Sequence, residues 1–410
     1  MLLRLPGRRA SVLPALLVIL ALSPLSPFCP GADAAERILR TVDGEAVPAK
    51  LSAAEDAWDW TFATDDGPVK LDAAGVVRFG APPEPSRETT LVLADGGFLV
   101  GEVRRGDHER VLVAGGFGEV EIPLERLAGI VYRPPVAVAR RDRLFDRVLF
   151  AEDAGDRVLL TNEDTIAGTI AAVGPTTVEV QAALGPLSIE THRIRAVVYN
   201  PALLRRPGQD RLGAWVGLDD GSRLRAQGLR IARGTCEITL AGGLTVEGDA
   251  ASIVFLQPIG GRAVYLSDRA HAGYRHVPYL DLEMPFARDR TVEGGWLRGG
   301  GRLFLKGLAM HSAARLTYPL DGAFEAFEAE IGIDGTTGGR GSVVFRVYVD
   351  GRPAYASEIV RGGEPPRPVR VALADAERLD LIVDFADHGP VLDRAAWFDA
   401  RLIAAPAEAP

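Results

Sequence analysis

Five side chains in the last third of the chain carry groups suited to a small, polar, many-hydroxyl ligand. Trp296 and Trp397 each offer an aromatic face that packs on the apolar C–H face of a ring, and an indole N–H for a hydroxyl. His311 as a neutral imidazole donates to one hydroxyl and accepts from another. Arg315 and Arg340 have planar guanidinium groups that bridge vicinal hydroxyls. Each has a plainer role beside this one. Trp397 lies in a strand-like stretch and reads as core, His311 can tie loop backbone together, and the two arginines can be ordinary surface charges. Trp296 stands next to Gly294-Gly295 and a glycine-rich stretch, where a loop position and a ligand platform are equally natural.

Arrangements for covalent or acid–base chemistry are missing from the sequence pattern. There is no Gly-x-Ser-x-Gly elbow, His-Glu-x-x-His or phosphate-binding loop. Cys236 has no companion His pattern and reads as a small buried strand residue. His271 and His276 lack a third ligand nearby, which argues against zinc. A non-catalytic protein is therefore expected. A glycosidase pair among the many carboxylates stays open as an alternative.

The elements that must carry these residues read as β. With 46 glycines and 28 prolines in 410 residues, short strands and tight turns are favoured over long helices, in more than one domain. The net charge of -9 argues against nucleic acid as the main partner. At the start, Arg4, Arg8 and Arg9 precede an apolar run ending at Leu22, and Ala32-Asp33-Ala34 has a small-x-small cleavage pattern. Residues 1–34 are expected to be an export signal, leaving a secreted, periplasmic or cell-surface chain with no stable membrane span.

The first half repeats itself. Asp95-Gly96, Asn162-Glu163 and Asp220-Gly221 open similar stretches that end in Ile130-Val131-Tyr132, Val197-Val198-Tyr199 and Ile253-Val254-Phe255. Asp95 to Val131 and Asn162 to Val198 both span 36 positions, and Asp220 to Val254 spans 34. A fainter copy runs from Asp43 to Val77. We expect four small β units at residues 36–80, 88–135, 156–201 and 212–258. Residues 140–150, rich in Arg and Asp, read as a short helix or a charged loop. In strand pattern the units resemble Sm-like or SH3-like barrels, and they are expected to be spacers or protein-docking modules.

Residues 262–404 have a different texture, with many closely spaced strands of which Val343 to Val349, followed by Asp350-Gly351, is the clearest; a strand is also expected at 302–306. Residues 405–410 form a tail. Several stretches, in order, resemble the novel putative carbohydrate-binding module (NPCBM) family: Tyr265-Leu266-Ser267-Asp268, Arg288-Asp289-Arg290, Lys306-Gly307-Leu308-Ala309-Met310-His311-Ser312, Gly338 to Phe345, and Asp393 through Trp397 to Leu402. The resemblance implies a jelly-roll, galactose-binding-like β-sandwich that recognises glycans, such as cell-surface polysaccharide. It also implies a structural calcium, for which Asp289, Asp334 and Asp399 are the candidate ligands. The chain departs from the family at Arg394 and Ala396, where relatives often have His and Asp. That departure favours an alternative in which the sandwich and the units dock proteins, as in a structural or adhesion protein.

Overall fold

The computed structural model describes residues 37–55, 58–206, 208, 212–278, 283–387 and 389–405; the expected export signal and tail residues 406–410 lie outside them. Apart from short 3-10 turns, the helix Val138–Leu149 is the sole helix among the described residues, and the rest of the regular structure is antiparallel strand. It resolves the ambiguity over residues 140–150.

Four successive segments share one strand order. In the third, Arg157–Leu160 pairs with Thr165–Val173, which pairs with Thr177–Ala182, which pairs with Gly185–Glu190. A 3-10 turn, Thr191–Arg193, then returns Ile194–Val198 to the first strand. The segment from Gly213–Leu218 to Ile253–Ile259 repeats this order. So do those from Ile38–Thr41 to Val76–Gly80 and from Thr90–Leu93 to Leu127–Val131, where the long second strand is broken in two. Alternating apolar residues such as Val178, Val180, Ile238 and Val246 face inwards, as the period of two requires.

The segments join through their last strands. Leu127–Val131 runs antiparallel to Ile194–Val198, and Val76–Gly80 to Ile253–Ile259. Both joints bring backbone close to backbone at a glycine. A Cβ at Gly129 would stand 2.3 Å from the Val197 carbonyl oxygen, and one at Gly80 would stand 2.0 Å from that of Val254. One apolar core therefore runs through all four segments, from Trp60 and Phe79 to Ile130, Val197 and Leu256.

Residues 263–404 form a two-sheet sandwich. One sheet contains Gly307–His311, Arg394–Ala404, Phe324–Ile333 and Arg367–Ala372 as neighbours. The other contains Gly273–His276, Ala314–Pro319, Arg378–Phe385, Ser342–Val349 and Arg352–Ala356. The expected strand at 302–306 is only Arg302–Leu303; the next begins at Gly307. Between the sheets lie Trp397, Phe327, Phe345, Met310 and Leu381.

The strand Arg394–Ala404 is buried from Ala395 to Ile403, on both faces. One face meets the sandwich core. The other is covered by the chain itself: Phe398 stacks on Phe304 at 4.5 Å, and Ile403 packs with Val42 and Val77 of the first segment. This double burial accounts for the near-continuous apolar run Ala395 to Ile403, which a half-exposed strand would break every second residue.

Candidate functional site

The junction between the segments and the sandwich contains many of the most buried polar residues, and two of the expected ligand-binding groups belong to it. Trp296 is only 5% exposed. Its ring stacks on Phe98 and meets Phe145 at a tilt, its N–H donates to Asp146 Oδ1 at 3.0 Å, and the Arg223 guanidinium sits 5.2 Å from its ring centre. It is a plug between sandwich and segments and presents no free face. Next to it, Arg298 donates to Asp142 at 2.6 Å and to Glu84 at 2.7 Å. Burial would raise the Glu84 carboxyl, but Arg298 and Arg141 outweigh it and hold it below the ordinary value.

Asp399 belongs to the same junction. Its Oδ2 accepts from Arg78 Nη1 at 2.7 Å, and Arg78 Nη2 donates to Glu330 at 2.8 Å. Glu330 also accepts from Arg302 at 2.5 Å. Burial pushes the Glu330 carboxyl up, and the pull of Arg78 and Arg302 more than reverses this. The other two expected calcium ligands are likewise engaged. Asp289 accepts from Lys306 Nζ and the Gly307 N–H, both at 3.0 Å, and Asp334 caps the turn Gly335–Thr337 through the Thr336 N–H and hydroxyl. The three sit in separate hydrogen-bonding sets. Among the described residues no group of three or more His, Cys, Asp or Glu is arranged to hold a metal ion. The three aspartates do not fit a calcium site.

Trp397 is fully buried, edge-on to Phe345 at 4.8 Å, so it is core and not a platform. Arg315 lies on the outer face of the second sheet, where Asp380 takes both its Nε (2.9 Å) and Nη2 (2.6 Å). That ion pair occupies the edge a vicinal diol would need.

His311 and Arg340 remain, and both stand at one end of the sandwich. Gly307–His311 ends there, Gly273–His276 ends there, and Arg394–Ala404 begins there with Arg394 opposite His311. The His276 and His311 rings are 6.4 Å apart. His276 Nδ1 accepts from the Met284 N–H at 3.1 Å, which leaves Nε2 as the protonated nitrogen of its neutral ring. Burial lowers the His311 imidazole below its ordinary value, helped by His276 and Arg394 and opposed by Glu293. Arg394 pairs with the exposed Glu293 at 2.7 Å. Asp393 accepts from the Ser342 N–H at 2.9 Å, while its second oxygen and the buried Ser312 hydroxyl have no hydrogen-bond partner among the described residues. Arg340 is exposed on the loop between Asp334 and Ser342, and the Asp334 N–H donates to the Arg394 carbonyl at 2.9 Å. The end thus carries two imidazoles, two guanidinium groups and a carboxylate in partly open positions, a set that exchanges hydrogen bonds with hydroxyls. Of these, His276, Glu293 and Arg394 were not singled out as site residues from the sequence; Asp393 is buried behind them. The signal for Arg394 was its departure from the family pattern.

Residues 262–403 match the family described as NPCBM/NEW2 domain. A curated protein of Renibacterium salmoninarum, provisionally named endo-alpha-N-acetylgalactosaminidase, is 27% identical over 188 residues, which is 41% of this chain and 12% of the relative. The solved structure of CBM51-2 in complex with GlcNAc and INT domains from Clostridium perfringens ZmpB is 25% identical over 43% of this chain and 39% of that one, with a TM-score of 0.32. That of CBM51 from Clostridium perfringens GH95 in complex with methyl-galactose is 24% identical over 34% of this chain and 99% of that one, with a TM-score of 0.31. The chain thus spans about an eighth of the curated relative's length. The two-sheet sandwich of the last third, residues 262–403, is an NPCBM/NEW2 domain.

Proposed function

We propose that this chain is a non-catalytic glycan-binding protein that takes its ligand at the sandwich end carrying His276, His311, Arg394 and Arg340. The observation that carries the reading is the family match over 262–403, a carbohydrate-binding type of module. The polar, partly open side chains at that end supply the chemistry. His311, kept neutral, donates to one hydroxyl and accepts from the next. Arg394 contributes a planar fork once Glu293 gives way or shares it. No aromatic platform is offered by Trp296 or Trp397, so hydrogen bonding dominates. A small, water-exposed site gives weak affinity, on the order of micromolar to millimolar. Export through residues 1–34 is part of the reading, and N-terminal sequencing of secreted protein tests it.

The test is a glycan array on the full chain, led by galactose- and N-acetylhexosamine-terminated glycans, followed by titration of His311→Ala and Arg394→Ala. Selective binding lost in both variants, with no turnover of chromogenic glycosides, supports the reading. Turnover points to a hydrolase instead. A folded chain that binds no glycan points to protein docking. One observation favours that second reading: part of one sheet face of this sandwich, around Asp399 and Ile403, already packs against the chain's own first segment.

A further inference from the structure

The helix Val138–Leu149 buries Leu144, Phe145 and Val148 and turns Arg140, Arg143 and Arg147 to solvent. Spacings of three and four residues put these arginines on one face, spread over about 10 Å of axis at 1.5 Å per residue. Arg195, from the strand Ile194–Val198, joins them along a groove of about 700 Å³ floored by Leu144, Leu159 and Leu160. Glu163 is the sole carboxylate in its lining. The helix's ion pairs, Arg141 with Glu84, Asp142 with Arg298 and Asp146 with Arg290, involve other residues; among the described residues Arg140 and Arg143 make none. Arg147 reaches only the Thr165 hydroxyl at 3.4 Å.

The end of the helix that borders the groove adds a second, independent feature. Ala137 stands at the cap position with no side-chain acceptor, and the first turn has no acidic residue. The free N–H groups and positive end of the helix dipole therefore lie at the Pro135–Ala137 edge of the same groove.

We propose that this groove binds an anionic polysaccharide, one with carboxylate or sulfate groups repeated along its length. The charges form a row and do not converge on a point, which suits a polymer better than a single small anion. The lining contains no aromatic ring on which a base could stack, which disfavours single-stranded nucleic acid. The chain as a whole carries a net charge of -9, so a polyanion is repelled on average by the molecule and attracted at this strip. The groove shares no residue with the sandwich end, so the two sites stand or fall separately.

The experiment measures binding of the full chain to polygalacturonate, heparin, neutral dextran, DNA and anionic vesicles, at low and at physiological ionic strength. Binding to polygalacturonate or heparin but not dextran, weakening with salt, is expected. The two acidic polymers distinguish carboxylate from sulfate. R140E/R143E/R147E is expected to weaken binding by about tenfold or more, and R140Q/R143Q by less, with melting unchanged because these side chains are exposed. R352E, an exposed charge on the sandwich, is expected to bind as the parent does. No binding to either acidic polysaccharide at low salt, or parent-like binding by both groove variants, overturns the proposal. Tighter binding to DNA or vesicles than to either polysaccharide overturns the ligand class.

Discussion

The Trp296 indole lies parallel to the Phe98 ring, 5.6 Å centre to centre and 8° between planes, so a sandwich residue is stacked on a residue of the second β segment. Arg223 of the fourth segment lies over both rings, at 5.2 and 4.7 Å. Burial there pushes the Arg223 guanidinium down to about 9. The sandwich is therefore seated on the segments by a mixed aromatic and cationic contact rather than tethered by a free linker.

Trp296→Ala follows directly. Removing a buried Trp leaves a cavity and takes away one of the aromatic rings over which Arg223 lies, a loss of about 3–5 kcal/mol by analogy with other buried aromatics. The melting temperature should fall markedly, and limited proteolysis should cut between the segments and the sandwich. Glycan binding by molecules that remain folded should persist. Lost binding with unchanged melting would make Trp296 a ligand platform after all.

Gly129→Ala tests the joint between the second and third segments. The added Cβ would meet the Val197 carbonyl oxygen at 2.3 Å and Val148 Cγ1 at 2.5 Å, and backbone cannot yield as a side-chain tip can. Overpacking of this kind costs about 1–3 kcal/mol. Gly116→Ala, where a Cβ meets nothing within 4 Å, should stay within roughly 0.5 kcal/mol of the parent. Urea melts of the two variants make the comparison, and equal midpoints would mean the joint is not tight.

Much of this architecture is legible in the residues. Alternation and turn chemistry announce the strands, and ordered motifs from Tyr265 to Leu402 announce the sandwich. What is not legible is which faces the sandwich loses to its own chain. Trp296 beside two glycines reads as a loop platform, because nothing local shows that Phe98, nearly two hundred positions earlier, stacks on it. Asp399 reads as a metal ligand for the same reason: its partner, Arg78, lies far off in the first segment. Charges in long-range pairs and charges in ligand sites look alike in sequence. His311 closes the strand Gly307–His311, whereas its neighbours His276 and Arg394 come from distant elements that nothing local in the sequence brings to it.

Acid should withdraw the stability that Glu330 gives the junction, although Asp399, whose carboxyl is raised by burial, acts with the opposite sign. Glu330 has its ordinary value of 4.5 lowered in the folded chain: burial alone would raise it, but Arg78, Arg302 and Arg40 dominate. The unfolded chain then takes up this proton at a higher pH than the folded one. The stabilisation is fully present above about pH 4.5 and is lost as the pH falls through the lower folded value. Glu84, held down by Arg298 and Arg141, acts with the same sign. Urea midpoints should be flat in Glu330 terms at neutral pH and decline below that point. Glu330→Gln should be less stable at neutral pH, because it leaves Arg78 short of a buried counter-charge, and its acid decline should be shallower. A parallel decline in both proteins would remove Glu330 from the account.

His311 sets a different pH dependence, on binding. Its ordinary value of 6.5 is lowered by burial, then by His276 and Arg394. In the folded chain the ring stays neutral somewhat below that pH, able both to donate and to accept. Protonation turns it into a double donor beside Arg394 and removes the acceptor. Glycan affinity should therefore hold from alkaline pH down past 6.5 and fall at lower pH, as the ring charges. Stability falls in the same direction: the unfolded chain protonates this residue first, so acidification below 6.5 costs stability until the folded ring also charges. His311→Gln keeps one donor and one acceptor without a titratable ring. It should bind more weakly at neutral pH but lose the pH step, whereas His311→Ala should lose binding throughout. An affinity that rises on acidification would show that the charged ring, not the neutral one, meets the ligand.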